Sequence, residues 1–227
     1  MHQLTLGLDH MHSVKVAHRD LKPSNVLLDG RCRVYLADFG LARKLESPTE
    51  GTDLNDACGA TEYVVTRWYR APEALLSCPY GLSIDIWSLG CIFAEIINRT
   101  PLFPGKDYVH QIKLICGVIE IPDNRKDEKS TSLLDEAIFR YLQRYAIRPR
   151  TDFPRLLSID DHDLENLLRL MLHFDPLQRI DTSRILKIGY LPNDDIYISE
   201  PPLIPEYDNE PTLERLEAEV RCVQSIA

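Results

Sequence analysis

The sequence predicts a mainly α domain in which one or two short β-hairpins carry a polar centre. Three observations predict it. The segment from Ser83 to Asn98 is apolar on nearly every side, with Ile84, Ile86, Trp87, Leu89, Ile92, Phe93, Ile96 and Ile97, and a helix of that kind is buried. Several other segments repeat apolar residues at three- and four-residue spacing, which is the period of a helix face. Two short β-prone runs flank Asp29-Gly30, a turn signal that makes them a hairpin.

In chain order, Leu4, Leu8 and Met11 mark the first helical face. Val26–Leu28 and Arg33–Leu36 are the two hairpin strands. Residues 44–66 are rich in Ser, Thr, Gly and Asp and read as a loop. The 83–98 helix is the expected central pillar, capped by Ser83 and ended before Pro101. Tyr108–Ile119 is amphipathic, and Pro122–Lys129 is a charge run that reads as a solvated loop. Leu133–Tyr145 is expected to be helical. Leu164, Leu167, Leu168, Met171 and Leu172 give a further helical face, followed by a short helix at Ile185 and Leu186. The C-terminal part is proline-rich and then helical from Thr212 to Val223.

Composition limits the function classes. Hydrophobic residues make up 44% and charged residues 27% of the 227, an ordinary globular balance with material for a sizeable core. The formal net charge of −9 argues against binding nucleic acid or an anionic membrane surface. His2, Gln3, Asp9 and His10 interrupt any apolar start, so no signal peptide is expected there. No run of about 18 apolar residues exists, so no membrane span is expected. Cys32, Cys58, Cys78, Cys91, Cys116 and Cys222 lie scattered, without a Cys-x-x-Cys pair. They read as free thiols in a reducing compartment, the cytoplasm, the nucleus or both.

The chemistry concentrates in His18-Arg19-Asp20-Leu21-Lys22-Pro23-Ser24-Asn25. Asp20 can accept a proton from a hydroxyl. Lys22 can neutralise charge on a transferring phosphoryl group. Asn25 can bind a metal ion through its amide oxygen. Phosphoryl transfer asks for these three tasks, because positioning and electrostatics supply most of its catalysis. Asp38-Phe39-Gly40 follows the hairpin, 18 positions after Asp20, and adds a carboxylate suited to Mg²⁺.

With both motifs, the chain resembles a protein kinase, and His-Arg-Asp-Leu-Lys-Pro-Ser-Asn looks like the MAP-kinase branch. The resemblance implies the large, C-terminal lobe of the kinase fold over residues 1–191, with a MAP-kinase insert at about 118–155 and a C-terminal extension over 192–227. In place of the Gly-Thr-Pro usual near the start of that insert stands Gly117-Val118-Ile119-Glu120. The implied activity is transfer of the γ-phosphoryl group of ATP to Ser or Thr hydroxyls of proteins. Asp20 is then the base, Lys22 the charge stabiliser, and Asn25 and Asp38 the Mg²⁺ ligands; Lys22, Asn25 and Asp38 together hold ATP and its Mg²⁺. Thr66 bonds the catalytic Asp and Lys.

Thr61-Glu62-Tyr63 before Ala71-Pro72-Glu73 looks like the dual phosphorylation site of the extracellular-signal-regulated type. The resemblance implies that Arg19 and Arg43 receive the phosphate of Thr61, and Arg67 and Arg70 that of Tyr63. It pairs Glu73 with Arg179 as a structural anchor. It places Asp85 against the catalytic-loop backbone, although an acid in the first turn of a helix also suits the helix dipole. Asp194 and Asp195 are the candidates for an acidic docking cluster. Implied partners are an upstream dual-specificity MAP kinase kinase, protein substrates with Ser/Thr-Pro sites, phosphatases and docking peptides.

The glycine-rich loop, strand lysine and helix glutamate of a whole kinase are not found in these 227 residues. The small lobe is therefore expected to lie outside this sequence, and the chain by itself to be inactive. The alternative reading is a non-catalytic, truncated kinase that acts as a docking or competitor module.

Overall fold

The computed structural model describes residues 1–45, 67–121, 142 and 161–191. Met1–Pro192 form one compact unit and Asn193–Ala227 a second, which lies outside the described residues. Also outside them lie residues 46–66 of the expected loop, most of the insert with its 133–145 helix, and the 212–223 helix.

The described helices are α1 (His2–Ser13), α2 (Pro72–Leu75), α3 (Ser83–Asn98), α4 (Tyr108–Cys116), α5 (His162–Met171) and α6 (Thr182–Ile188). The strands are β1 (Val16–Ala17), β2 (Val26–Leu28), β3 (Val34–Leu36) and β4 (Arg43–Lys44). The fold is mainly α, as the periodicities predict.

The pillar α3 organises the core. Every residue from Ile84 to Ala94 is buried, because helices surround it and each face carries an apolar side chain. Its last turn emerges: Ile96 is 48% exposed, which departs from the all-round burial expected. Ser83 does not cap it either. The N-cap is Leu82, without a side-chain bond, and the Ser83 carbonyl instead accepts from Arg179 Nη1 at 3.0 Å. The helix ends at Arg99 in a left-handed conformation, φ 60°, two residues before Pro101.

α5 packs against α3 at Gly90. A Cβ there would stand 2.9 Å from Leu172 Cδ2 and 3.2 Å from Met171 Cβ. Glycine costs a helix about 1 kcal/mol relative to alanine, and here close helix approach offsets it. Asp161 caps α5 by accepting from the Asp163 and Leu164 amides. The bond from Leu164 is the largest of several that hold its carboxyl below the ordinary carboxylate value.

α1 carries the site-bearing hairpin. Gln3 Oε1 accepts from Val34 N at 2.9 Å, and Gln3 Nε2 donates to the Cys32 carbonyl at 3.2 Å. The hairpin itself pairs Val26 with Leu36, Leu27 with Tyr35 and Leu28 with Val34. Asp29 closes its turn by accepting from the Arg31 and Arg33 amides and from Arg33 Nε. Those bonds, the Arg33 amide foremost, lower its carboxyl to about 2. At its other end α1 is tied to α6, where Thr182 Oγ1 donates to Asp9 Oδ1 at 2.6 Å.

A second antiparallel pair, β1 with β4, sets Ala17 opposite Arg43 and Val16 opposite Lys44. Lys44 thus belongs to a strand and not to the loop. Two-residue strands have no period, so nothing local announces them. α4 stops at Cys116, three residues short of the amphipathic stretch. Asp107 caps it by accepting from His110 N at 2.8 Å.

Cys32, Cys91 and Cys116 are free thiols; Cys32 is exposed, and Cys78, Cys91 and Cys116 are buried. Burial raises the Cys91 thiol far above its ordinary value and that of Cys116 to about 12. A thiol that keeps its proton when folded contributes nothing to pH dependence below the unfolded value near 9. Above that value the unfolded chain ionises first, so stability falls as pH rises towards about 12. At pH 8, iodoacetamide is expected to label Cys32 within minutes and to spare Cys91 and Cys116 until urea unfolds the chain. Peptide mass mapping checks this; equal labelling of the three would contradict their burial.

Candidate active site

From His18 to Lys22 the segment is irregular and only Pro23–Asn25 forms a short 3-10 turn, so its shape must come from elsewhere. Asp85, in the first turn of α3 and fully buried, supplies it. Its carboxylate accepts from His18 N at 2.8 Å, from Arg19 N at 2.9 Å and from His12 Nε2 at 3.0 Å. Arg19 sits at φ 71°, a left-handed conformation that costs a non-glycine residue of order 1–3 kcal/mol. Two amide bonds to a charged acceptor contribute about 1.5–3 kcal/mol each. The carboxylate therefore outweighs the strain and fixes the bend.

The bend turns Asp20 inward, where it is 8% exposed. Asp20 Oδ2 accepts from Lys22 Nζ at 2.7 Å and from Asn25 Nδ2 at 3.2 Å. Oδ1 is buried without a hydrogen-bond partner. Such an atom costs energy unless something else satisfies it, and a substrate hydroxyl would do so. Asn25 Nδ2 also donates to the Asp20 carbonyl at 2.8 Å. The donors of Asn25 thus face Asp20, while its oxygen is left for another ligand.

The residue before Asp38 is tied to this segment through its backbone. Ala37 N donates to the Asn25 carbonyl at 2.9 Å, and the Ala37 carbonyl lies 3.1 Å from His18 Nε2. His18 Nδ1 accepts from Asp20 N at 3.4 Å, so the neutral ring carries its proton on Nε2. The same ring lies 5.4 Å from that of Phe39. Both motifs are therefore stitched together by one histidine. Asp38 is exposed and left-handed, with a single 3.4 Å contact from Gly40 N.

Among the described residues, no three His, Cys, Asp or Glu side chains gather to hold a metal. One carboxylate and one amide oxygen remain, Asp38 and Asn25. That hard-oxygen pair fits Mg²⁺, which binds through one or two carboxylates and takes its other ligands from water and substrate phosphates.

The family comparison matches the protein kinase domain over residues 1–191. The chain belongs to the protein kinase family. The relatives it matches include mitogen-activated protein kinases. It is 46% identical over 192 residues to mitogen-activated protein kinase 6 of Oryza sativa subsp. japonica, covering 84% of this chain and 48% of the relative. Against mitogen-activated protein kinase 5 of Arabidopsis thaliana the identity is 47%, with the same coverage. Against mitogen-activated protein kinase 3 of Arabidopsis thaliana it is 42%, over 100% of this chain and 60% of the relative. The chain thus spans about half the length of most of the curated relatives it matches.

The kinase segment after the site is anchored by a buried ion pair. Arg179 Nη1 and Nη2 donate to Glu73 Oε1 and Oε2 at 2.5 and 2.6 Å. Its remaining hydrogens go to the carbonyls of His173, Ser83 and Phe174, and its guanidinium lies 5.2 Å from the Trp87 ring centre. Arg67 and Arg70 lie just before Glu73, against the turn that opens α4. Arg19 lies 5.5 Å over the Tyr80 ring, and Arg43 stands on β4 opposite Ala17. Thr61, Tyr63, Thr66, Asp194 and Asp195 lie outside the described residues.

Two histidines carry structure that the sequence left unassigned. His12 lies 73 positions from Asp85, and no local signal links them. His18 stands inside the motif, but its bond to Ala37 depends on how the hairpin folds back.

Two substitutions test these tethers. Asp85→Asn cannot accept from both loop amides, and should cost about 2–3 kcal/mol. Arg179→Ala leaves the Glu73 carboxylate buried and unpaired, and should cost about 3–5 kcal/mol. Both appear as lower urea midpoints with unchanged slope; a midpoint equal to that of the parent chain would refute the corresponding tether.

Proposed function

We propose that the natural protein is a mitogen-activated protein serine/threonine kinase that transfers the γ-phosphoryl group of ATP to Ser or Thr hydroxyls preceding proline. The observation that carries this reading is Asp20. One oxygen is held by Lys22 and Asn25, and the other is buried and unsatisfied. The unsatisfied oxygen takes the hydroxyl proton as the hydroxyl oxygen attacks the phosphorus, and ADP leaves. Lys22 stays beside the transferring group and offsets its charge. Bound Mg²⁺ supplies charge neutralisation at the nucleotide phosphates, and Asn25 and Asp38 hold it.

Regulation follows from the same sequence. An upstream dual-specificity MAP kinase kinase phosphorylates Thr61 and Tyr63, which adds close to four negative charges. Arg19 and Arg43 receive the first phosphate, and Arg67 and Arg70 the second. Phosphatases reverse the change, docking peptides meet Asp194 and Asp195, and the protein works in the cytoplasm and the nucleus. The relatives' printed identity as mitogen-activated protein kinases supports an upstream MAP kinase kinase and protein substrates in general.

The natural gene product, phosphorylated on Thr61 and Tyr63, is expected to move label from γ-labelled ATP to a Ser-Pro or Thr-Pro peptide. Asp20→Asn should lower kcat by about 10²–10⁴ and leave the KM for ATP nearly unchanged. Equal kcat in the two proteins would remove Asp20 as the base. A polypeptide of these 227 residues alone, without a phosphate-clamping glycine loop or its lysine, is expected to give no transfer in the same assay.

A further inference from the structure

Between α5 and α6 the surface opens into a cleft that shares no residue with the candidate active site. Leu170 of α5, Gln178 and Ile180 of the connection, and Arg184, Lys187 and Ile188 of α6 line it. Its volume is about 370 Å³, within the range of roughly 300–1,000 Å³ in which clefts hold ligands. The floor is fixed to the core. Ile180 N donates to the Leu170 carbonyl at 3.2 Å; Ile180 is buried, and Leu170 packs against the core from a half-buried place. The α6 side is left open to water, with Ile188 47% exposed.

The spacing on α6 combines charge with apolar surface. Arg184, Lys187 and Ile188 stand three and four positions apart, so they share one helix face, while Ile185 on another face is buried. Among the described residues that line the cleft, none is acidic. Asp181, the N-cap of α6, accepts from Arg184 N at 2.8 Å. Its other oxygen lies 3.8 Å from Arg184 Nε, with both side chains exposed. An ion pair so open to water contributes little, so it does not hold Arg184 against a better-placed acid.

The chain as a whole carries a formal net charge of −9, which would repel an acidic partner at a distance. At physiological salt, exposed charges more than about 8 Å apart are largely screened, so the local rim decides what settles on the cleft. Two cations beside an apolar trough favour a ligand of the complementary pattern, apolar residues flanked by carboxylates. An open trough also suits a peptide better than a small molecule, which needs most of its surface enclosed.

We propose that the cleft between α5 and α6 docks an acidic peptide segment of a partner protein. Apolar side chains of that segment rest on Leu170, Ile180 and Ile188, and its carboxylates meet Arg184 and Lys187.

The test titrates the 227-residue chain into a fluorescein-labelled peptide, Glu-Glu-Leu-Glu-Glu-Leu, and reads fluorescence anisotropy. Saturable binding in the micromolar to submillimolar range is expected. Arg184→Gln combined with Lys187→Gln should weaken it about tenfold, and Ile188→Ser by several-fold. The peptide with Gln in place of each Glu should bind the parent chain about tenfold more weakly. The matching neutralisation on β4, Lys44→Gln, should leave binding unchanged. All four positions are exposed, and melting temperatures equal to the parent's check that each variant folds; if the double variant does not, the two peptides decide. Absence of binding, or binding that ignores either the two cations or the change from Glu to Gln in the peptide, overturns the proposal. So does equal weakening by Lys44→Gln, which would mark a general charge effect. Sedimentation of the chain alone addresses the other occupant: self-association that Arg184→Gln and Lys187→Gln abolish would assign the cleft to a second copy and overturn the proposal as well.

Discussion

The grip of Asp85 on the amides of His18 and Arg19 is the interaction on which the rest of the site depends. Most of the candidate catalytic loop has no regular secondary structure and so no internal ladder to define it. Its shape must be imposed by hydrogen bonds from a rigid neighbour, and α3 is the most deeply buried helix described. A carboxylate in the first turn of that helix transfers the rigidity of the core to two backbone positions. The left-handed bend at Arg19 follows, and with it the inward turn of Asp20. Because His12 donates to the same carboxylate, α1 and α3 are locked to one point.

A second constraint acts at the far end of the site. The Glu73–Arg179 pair is buried, and buried pairs are seldom a net gain over apolar packing. Its value is positional. Arg179 also bonds the carbonyl of Ser83 at the start of α3, two residues before Asp85. The catalytic loop and the segment around Glu73 are thus referred to the same helix end. The placement of Asp20 with Lys22 and Asn25 is set by polar contacts to one apolar pillar.

The hairpin supplies the remaining coordinate. Asn25 and Asp38 flank its open end, so pairing Val26 with Leu36 fixes the distance between two oxygen-bearing residues that are far apart in sequence. His18 then closes the arrangement by reaching across to Ala37 and Phe39. Asp38 can therefore be exposed without being loosely positioned.

The sequence by itself marked the candidate site residues and most of the described regular elements. The apolar pattern of α3, the Asp29-Gly30 turn and the two motifs are local, and local patterns survive in a linear reading. Tertiary structure alone decided that Ser83 would bind Arg179 instead of capping its helix, that Ile96 would emerge, and that Val16–Ala17 would pair with Arg43–Lys44. It alone joined His12 to Asp85 and brought α5 onto Gly90. The physical reason is common to all of these. The contacts among them join parts of the chain from 26 to 96 positions apart, and a contact of that span leaves no periodicity, cap or turn signal at either of its ends.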